Sequence, residues 1–155
     1  MKITVLAAGA WGTALAIAFS ARHEVTLWTR EEDLAESMRA DRENARYLPG
    51  SPLPENLEIA TDFEVAAADA GLLVIATPLA GLRSTVQRLR DADLVRPLIW
   101  VCKGLEAGSA SLPHQIVAEE LGAEALYGAL SGPSFAEEVA AGMPTAVTLA
   151  ANDAE

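Results

Sequence analysis

Two glycines near the start of the chain occupy positions at which a backbone can bind phosphate. The segment 7–12 carries Gly9 and Gly12, and it follows the apolar run 3–6. A dinucleotide-binding turn has the pattern G-x-G-x-x-G. Its first glycine makes the tight turn, its second lets the backbone approach a pyrophosphate, and its third lets the helix pack against the strand. Gly9 and Gly12 match the second and third positions, whereas Ala7 occupies the first. The segment therefore indicates a pyrophosphate at a helix N-terminus, where unpaired N–H groups are available.

Ala7 is the departure from this pattern. We expect its methyl to be compatible with the turn if its φ is negative, and to crowd the side on which the cofactor lies. The motif alone leaves open a glycine-containing strand–turn–helix that binds no ligand. Its position after the first strand of an alternating chain favours nucleotide binding.

A second candidate contact lies at Arg30, where the second predicted strand ends. An NAD site usually has an acid at this strand end for the ribose 2′-hydroxyl, whereas arginine suits the 2′-phosphate of NADP. Glu31 and Glu32 come only in the following helix, for which Thr29 and Glu32 have capping-box spacing. Arg30 therefore indicates that NADP is accepted at least as well as NAD. A solvated charge at a helix start is the alternative.

Two polar residues further along could contact a substrate. Lys103 follows a buried strand, so its ammonium is expected at the carboxyl edge of the sheet, where it could bind a phosphate or stabilise a developing oxyanion. A solvated lysine is the alternative. Ser134 could bind substrate at a helix start, or it could cap that helix with Glu137. Cys102 is predicted to be an inert buried thiol.

The elements that would position these residues alternate along the chain. Apolar runs without polar interruption predict parallel strands that are buried on both faces, and right-handed helical crossovers then cover the sheet on both sides. Strands are predicted at 2–6, 24–28, 57–60, 72–76, 98–102, 126–130 and 146–150, and helices at 11–20, 31–40, 79–90, 111–121 and 134–141, with another helix capped by Thr61 and Glu64. The prediction is one α/β domain over 1–155, doubly wound and mostly parallel, of the Rossmann type.

Composition excludes several functional classes. The 155 residues are 51% hydrophobic, which is enough for one core. A net charge of −11 disfavours binding to nucleic acid or to an anionic membrane surface. One cysteine and two distant histidines, His23 and His114, argue against a metal site.

The uncharged run 3–21 resembles a signal peptide or a short membrane span. Gly9 and Gly12 interrupt it, and Lys2 alone supplies a basic flank. A strand, a glycine turn and an apolar helix explain the run better. We therefore expect a cytoplasmic protein without membrane insertion.

Several segments together resemble the bacterial NAD(P)-dependent glycerol-3-phosphate dehydrogenase family, in matching order and spacing across essentially the whole chain. The least specific segments are 5–16 (VLAAGAWGTALA), 27–30 (LWTR) and 44–50 (NARYLPG). More specific are 102–106 (CKGLE), which resembles the family's K-G-L/I-E stretch, and 131–139 (SGPSFAEEV), which resembles its S-G-P-S/T-F-A-x-E-V signature and is followed by 142–146 (GMPTA). Ala7 departs from the family pattern, and so does Leu79, where a small polar residue is common after the proline.

The resemblance implies reduction of dihydroxyacetone phosphate to sn-glycerol 3-phosphate by hydride from NADPH or NADH, or the reverse. It implies cofactor contacts from Ala10, Trp11, Arg30, Tyr47, Lys103 and Ala136, beside Gly9 and Gly12 of the turn, and substrate contacts from Lys103, Gly132 and Ser134. The family's proton-accepting lysine lies in a helical C-terminal domain, and the two lysines here, Lys2 and Lys103, do not represent it. We therefore expect a cofactor-binding half that has no appreciable turnover alone, with a homodimer of the longer enzyme left open.

Three alternatives remain open on the sequence alone. One is a related dehydrogenase acting on 6-phosphogluconate or ketopantoate, which should differ at 103–106 and 131–136. Another is a module that senses nucleotides without catalysis and does not need Lys103. The third is a methyltransferase-like domain, which should close the second strand with an acid where this chain has Arg30.

Overall fold

A computed structural model describes residues 1–122 and 124–153, so residues 123, 154 and 155 of the predicted domain lie outside the described residues. This part of the chain forms one seven-stranded sheet with helices between the strands. The strands are β1 (Lys2–Leu6), β2 (Glu24–Trp28), β3 (Leu57–Ala60), β4 (Leu72–Ile75), β5 (Leu98–Trp100), β6 (Tyr127–Ser131) and β7 (Thr148–Ala151). The helices are α1 (Ala10–Ser20), α2 (Glu32–Asp41), α3 (Phe63–Ala68), α4 (Leu79–Asp91), α5 (Pro113–Leu121) and α6 (Ala136–Ala140).

The strand order confirms the predicted doubly wound sheet. The strands lie in the order β3-β2-β1-β4-β5-β6-β7, and every neighbouring pair up to β6 is parallel. β7 pairs antiparallel with β6 and forms an edge. The chain reverses its direction of winding between β1 and β4, and open α/β sheets bind ligands outside the strand ends at such a point.

Alternate residues of each strand bury into opposite faces of the sheet. In β1, Val5 packs with Leu15 of α1 in one buried cluster. Its neighbour Leu6 packs with Leu82 of α4 and Ile116 of α5 in a second cluster. Helices α1 and α2 therefore cover one face and α3, α4 and α5 cover the other, while α6 packs on α1.

The helix starts differ from two of the predicted capping boxes. Helix α2 begins at Glu32, and Thr29 Oγ1 accepts a hydrogen bond from the Glu31 N–H (3.2 Å), so the Thr29–Glu32 box is wrong. For α3, Asp62 Oδ1 accepts from the Val65 N–H (2.9 Å), so Asp62 rather than Thr61 caps that helix. Helix α2 therefore begins without a side-chain cap, and α3 is capped by the residue after the predicted one.

The apolar run near the start of the chain forms β1, the glycine turn and α1, as predicted. Within the described ranges, no helix has both the length and the apolar character needed to cross a bilayer.

The turn between β1 and α1 depends on an unusual backbone conformation at Ala7. We expected the Ala7 methyl to fit the turn if φ were negative, but φ is +98°, so the alanine is strained. Gly12 satisfies a different requirement, because a Cβ there would overlap the carbonyl oxygen of Ala7. A Cβ at Gly9 would meet nothing within 4 Å, so that position is open toward solvent. The glycine at the third motif position is therefore required by packing, and the alanine at the first position is strained.

We expect Ala7→Gly to raise the free energy of unfolding by about 1 kcal/mol. The strain that is relieved by removing an alanine methyl at positive φ is larger, in free energy, than the cost of the extra entropy that glycine gives the unfolded chain. Urea unfolding followed by circular dichroism measures the change. Ala8→Gly is the matched control, since Ala8 is buried at ordinary φ and its substitution should lower stability by about 1 kcal/mol. Equal destabilisation by both substitutions would show that Ala7 is not strained.

Candidate functional site

A cavity lies at the carboxyl ends of β5 and β6, next to the start of α1. Four residues predicted from the sequence to contact cofactor or substrate line it: Trp11, Lys103, Gly132 and Ser134. Its remaining lining comes from Val101, Leu130, Ser131 and Val147. The fold therefore brings together residues from four places in the sequence at the edge of the sheet where open α/β folds bind ligands.

The Lys103 side chain is exposed and makes no hydrogen bond or ion pair with residues 1–122 or 124–153. It comes three residues after the end of β5, and Gly104 follows with φ +110°, which turns the chain away from the strand direction. An ammonium group held at a cavity without a carboxylate partner is available to an anionic ligand.

Ser134 is the strongest indication of a ligand at this cavity. Its Oγ is buried and has no hydrogen-bond partner among the described residues. The predicted Ser134–Glu137 capping box is wrong, because α6 begins one residue later and Glu138 Oε2 accepts from the Phe135 N–H (3.5 Å). A buried hydroxyl without a partner costs free energy unless another group bonds to it. Helix capping therefore does not explain the Ser134 hydroxyl, and a hydrogen bond to a ligand would satisfy it.

Gly132 is where two backbone segments approach closely. A Cβ at this position would overlap the carbonyl oxygen of Ala146, in the segment that leads to β7. Glycine therefore lets the 131–134 loop lie against the 146–147 segment at the cavity wall.

Asn44 is hydrogen-bonded to both sides of the glycine turn, and the sequence analysis gave it no role. It is fully buried, and its Nδ2 donates to the Ala8 carbonyl (2.8 Å) and to Thr13 Oγ1 (2.8 Å). Its Oδ1 accepts from the Tyr47 N–H (3.2 Å). These bonds connect the loop after α2 to both ends of the turn around Gly9. The only sequence signal was an asparagine inside the 44–50 segment of the family resemblance.

Arg30 and Tyr47 do not line the cavity, and they belong to a second group near the end of β2. Arg46 binds Glu31 Oε2 (2.6 Å) and Asp33 Oδ2 (2.7 Å), and Tyr47 Oη donates to Glu31 Oε1 (3.3 Å). The guanidinium of Arg46 lowers the pKa of Asp33 from its usual value. Arg30 is exposed and has no partner within the described chain, so it is the available cation here.

The remaining predicted residues pack at the helix that follows the turn. Ala136, the first residue of α6, is buried and lies in one cluster with Ala14 of α1, against which Ala10 and Trp11 pack. Cys102 is half-buried and lies beyond the end of β5, so the prediction of a buried strand residue is wrong. Its partial burial still raises the pKa of its thiol, which disfavours the nucleophilic thiolate.

Sheets wound in this order, with a helix packed directly against the first strand, are those of dinucleotide-binding domains of the Rossmann type, and this chain is one of that class. Residues 2–155 match the family described as NAD-dependent glycerol-3-phosphate dehydrogenase N-terminus. The chain belongs to this family, and at this level the predictions of fold, family and an NAD(P)-binding domain are confirmed.

Proteins similar to this chain are named glycerol-3-phosphate dehydrogenases. A glycerol-3-phosphate dehydrogenase (NAD(P)+) of Dechloromonas aromatica is 67% identical over 153 residues, which are 99% of this chain and 46% of the relative. One of Aromatoleum aromaticum is 60% identical, over 99% of this chain and 47% of the relative. The crystal structure of a glycerol-3-phosphate dehydrogenase from Coxiella burnetii superimposes with a TM-score of 0.90 and 39% identity, over 98% of this chain and 47% of that one. This chain thus spans about half the length of these relatives.

We expect Asn44→Ala to lower the free energy of unfolding by about 2 kcal/mol, because it removes the partners of a buried carbonyl and hydroxyl. It should also weaken NADPH binding several-fold, since the turn loses its support. Asn56→Ala is the matched control, because Asn56 Nδ2 makes one bond, to the Ser20 carbonyl (2.9 Å), away from the cavity. Urea unfolding and NADPH titration measure both effects. Equal loss of NADPH affinity in the two variants would contradict the role of Asn44.

Proposed function

We propose that this chain binds NADPH or NADH and forms the cofactor half of an oxidoreductase. In the reaction, dihydroxyacetone phosphate and sn-glycerol 3-phosphate are interconverted by hydride transfer. The observation that carries the proposal is that the Ser134 hydroxyl and the Lys103 ammonium share one cavity and have no partner among residues 1–122 and 124–153. A phosphorylated hydroxyketone offers an anion and hydroxyl groups, which are what these two side chains require.

The glycine turn is proposed to bind the cofactor diphosphate. The open space at Gly9 leaves room for phosphate oxygens, and the first N–H groups of α1, from Ala10 onward, lack partners within the helix. Trp11 lines the cavity from the same helix start, and Ala136 packs beside it, so the nicotinamide end would lie between α1 and Lys103.

Arg30 and Tyr47 are proposed to border the adenosine end of the cofactor. Arg30, which has no partner in the part of the chain that the structure describes, could bind a 2′-phosphate. Glu31 is occupied by Arg46 and Tyr47, so it does not neutralise Arg30. This arrangement supports acceptance of NADP as well as NAD.

The bound nicotinamide supplies the hydride, and this chain's residues supply binding and charge stabilisation. In our proposal, Ser134 and the backbone near Gly132 orient the substrate. The Lys103 ammonium stabilises negative charge that develops on the carbonyl oxygen, an effect typically worth a few kcal/mol. Proton transfer to that oxygen is assigned to a lysine outside this chain, in a helical domain expected downstream. The proposed setting is a cytoplasmic enzyme, with a homodimer of the complete protein as a further expectation.

We expect NADPH and NADH to quench tryptophan fluorescence of this chain, and S-adenosylmethionine to leave it unchanged. Trp11→Phe should remove most of the change, because Trp100 is buried and Trp28 donates to the Thr61 carbonyl (2.9 Å) outside the cavity. Ala7→Gly should tighten NADPH binding, since it removes a methyl from the cofactor side. Quenching by S-adenosylmethionine but not by NADPH would contradict the proposal.

Turnover tests the activity itself. We expect no NADPH oxidation with dihydroxyacetone phosphate from this chain alone, and activity when it is fused to the remaining half of the Dechloromonas relative. Lys103→Met in the fusion should lower kcat/KM by about 100-fold or more, as expected for removal of one electrostatic stabiliser. The control is Lys2→Met, which removes an exposed lysine paired with Asp69 (3.4 Å). Turnover by the isolated chain, or a fusion that binds NADPH but is inactive, would overturn the proposal.

A further inference from the structure

Glu106 lies three residues after Lys103, in the loop between β5 and α5, and it is bound by an arginine of α4. Arg83 of α4 donates from Nε to Glu106 Oε1 (2.8 Å) and from Nη2 to Glu106 Oε2 (2.7 Å). The same guanidinium binds Glu120 Oε1 (2.6 Å) and Glu119 Oε2 (2.8 Å) of α5. Both Glu106 oxygens are thus taken by one cation in the bidentate geometry that makes such pairs strong.

The loop that follows Lys103 closes on this glutamate. Ser109 Oγ donates to Glu106 Oε2 (2.6 Å), the Glu106 N–H donates to the Ser111 carbonyl (2.9 Å), and the Ala110 N–H donates to the Glu106 carbonyl (2.9 Å). Arg83 and Glu106 side chains are only 26% and 17% exposed. Arg83 and Ser109 lower the pKa of Glu106 to about 2, so this residue is an anion at neutral pH.

The chain between Lys103 and Glu106 is short enough for the two side chains to meet. Three consecutive peptide units span at most about 11 Å between the Cα atoms of Lys103 and Glu106, and the two extended side chains can cover that distance. Within the described residues, Arg83 is the cation paired with Glu106, and Lys103 has no partner. A Glu106 carboxylate released by Arg83 would therefore have an unpaired ammonium in its own loop to bind.

We propose that Arg83 is a positioning residue that keeps Lys103 available to ligand, by binding Glu106 so that this carboxylate does not capture the ammonium. Arg83 does not line the cavity, and it acts through Glu106. The inference rests on the proposed function, because it assumes that Lys103 contacts the bound cofactor. The competing explanation is that Arg83 only joins α4 to α5, through Glu119 and Glu120.

NADPH titration of this chain at low salt, with thermal unfolding of every variant, separates the two explanations. The variants are Arg83→Gln, Lys103→Met, Glu106→Gln, and the doubles Arg83→Gln/Lys103→Met and Arg83→Gln/Glu106→Gln. Arg83→Lys is included because it keeps a cation between the helices but cannot reproduce the bidentate fork. Arg88→Gln is the matched control, since Arg88 also lies on α4 and pairs with Glu64 (2.8 Å) away from the cavity.

We expect Arg83→Gln to raise the Kd for NADPH about fivefold to tenfold, which is within the range of coupling between neighbouring groups. Arg83→Lys should give a smaller rise. Adding Glu106→Gln should return the Kd to within about twofold of the parent, because no free carboxylate remains. In the Lys103→Met background, Arg83→Gln should have no further effect. Arg88→Gln should lower the melting temperature without changing the Kd.

A loss of affinity in Arg83→Gln that Glu106→Gln fails to rescue, or that persists in the Lys103→Met background, would overturn the inference in favour of a structural role. If Arg83→Gln does not fold, the same comparisons are made with Arg83→Lys. If Lys103→Met binds NADPH as tightly as the parent, the assignment of Lys103 to the cofactor fails, and this inference fails with it. If Lys103→Met weakens binding and neither Arg83 variant does, this inference alone fails.

Discussion

The contact between α1 and the end of β1 is the constraint on which the rest of the site depends. At Gly12 the helix lies so close to the Ala7 carbonyl that no side chain fits between them. This approach brings the first turn of α1 to the carboxyl edge of the sheet, and it is maintained by Asn44 through bonds to Ala8 and Thr13. Because the helix start cannot move away from β1, its free N–H groups and Trp11 keep a constant position relative to the strands beyond.

Polar groups in this domain fall into two classes, and the difference between them indicates where ligands bind. Arg83, Arg46 and Asn44 have several partners each, at separations of 2.6–3.2 Å, and they connect parts of the structure to one another. Lys103, Arg30 and the Ser134 hydroxyl have none within the described residues. Residues of the first class hold the site in shape, and those of the second have hydrogen-bonding groups or charges that are available to a ligand. Within the described residues, the carboxylates close in sequence to Lys103 and Arg30 are bound by other cations, Glu106 by Arg83 and Glu31 by Arg46.

Much of the fold could be predicted, because strands buried on both faces have unbroken apolar sequences. The strand predicted at 72–76 forms β4 and ends one residue earlier, at Ile75. The start of α4 at Leu79 could be predicted in the same way. The caps of α3 and α6 lie one residue beyond the predicted Thr61 and Ser134, at Asp62 and Phe135, because a short polar pattern does not fix a helix start to one residue. The sequence motif does not determine the φ angle of Ala7, so the strain there could not be predicted. The roles of Asn44 and Arg83 depend on partners 23 to 37 residues away. No local spacing encodes contacts of that kind.

The central place of β1 has a consequence for how the chain assembles. Its residues pair on one side with 24–28 and on the other with 72–75, so β1 needs partners from two separate later parts of the chain. A sheet with such distant pairings forms slowly relative to one built from neighbours, because loops must close before contacts are made. Until β4 emerges, one edge of the β1 backbone stays unpaired, and Leu6 lacks its partners on α4 and α5. An uncovered strand edge of this kind is prone to premature association while the chain is incomplete.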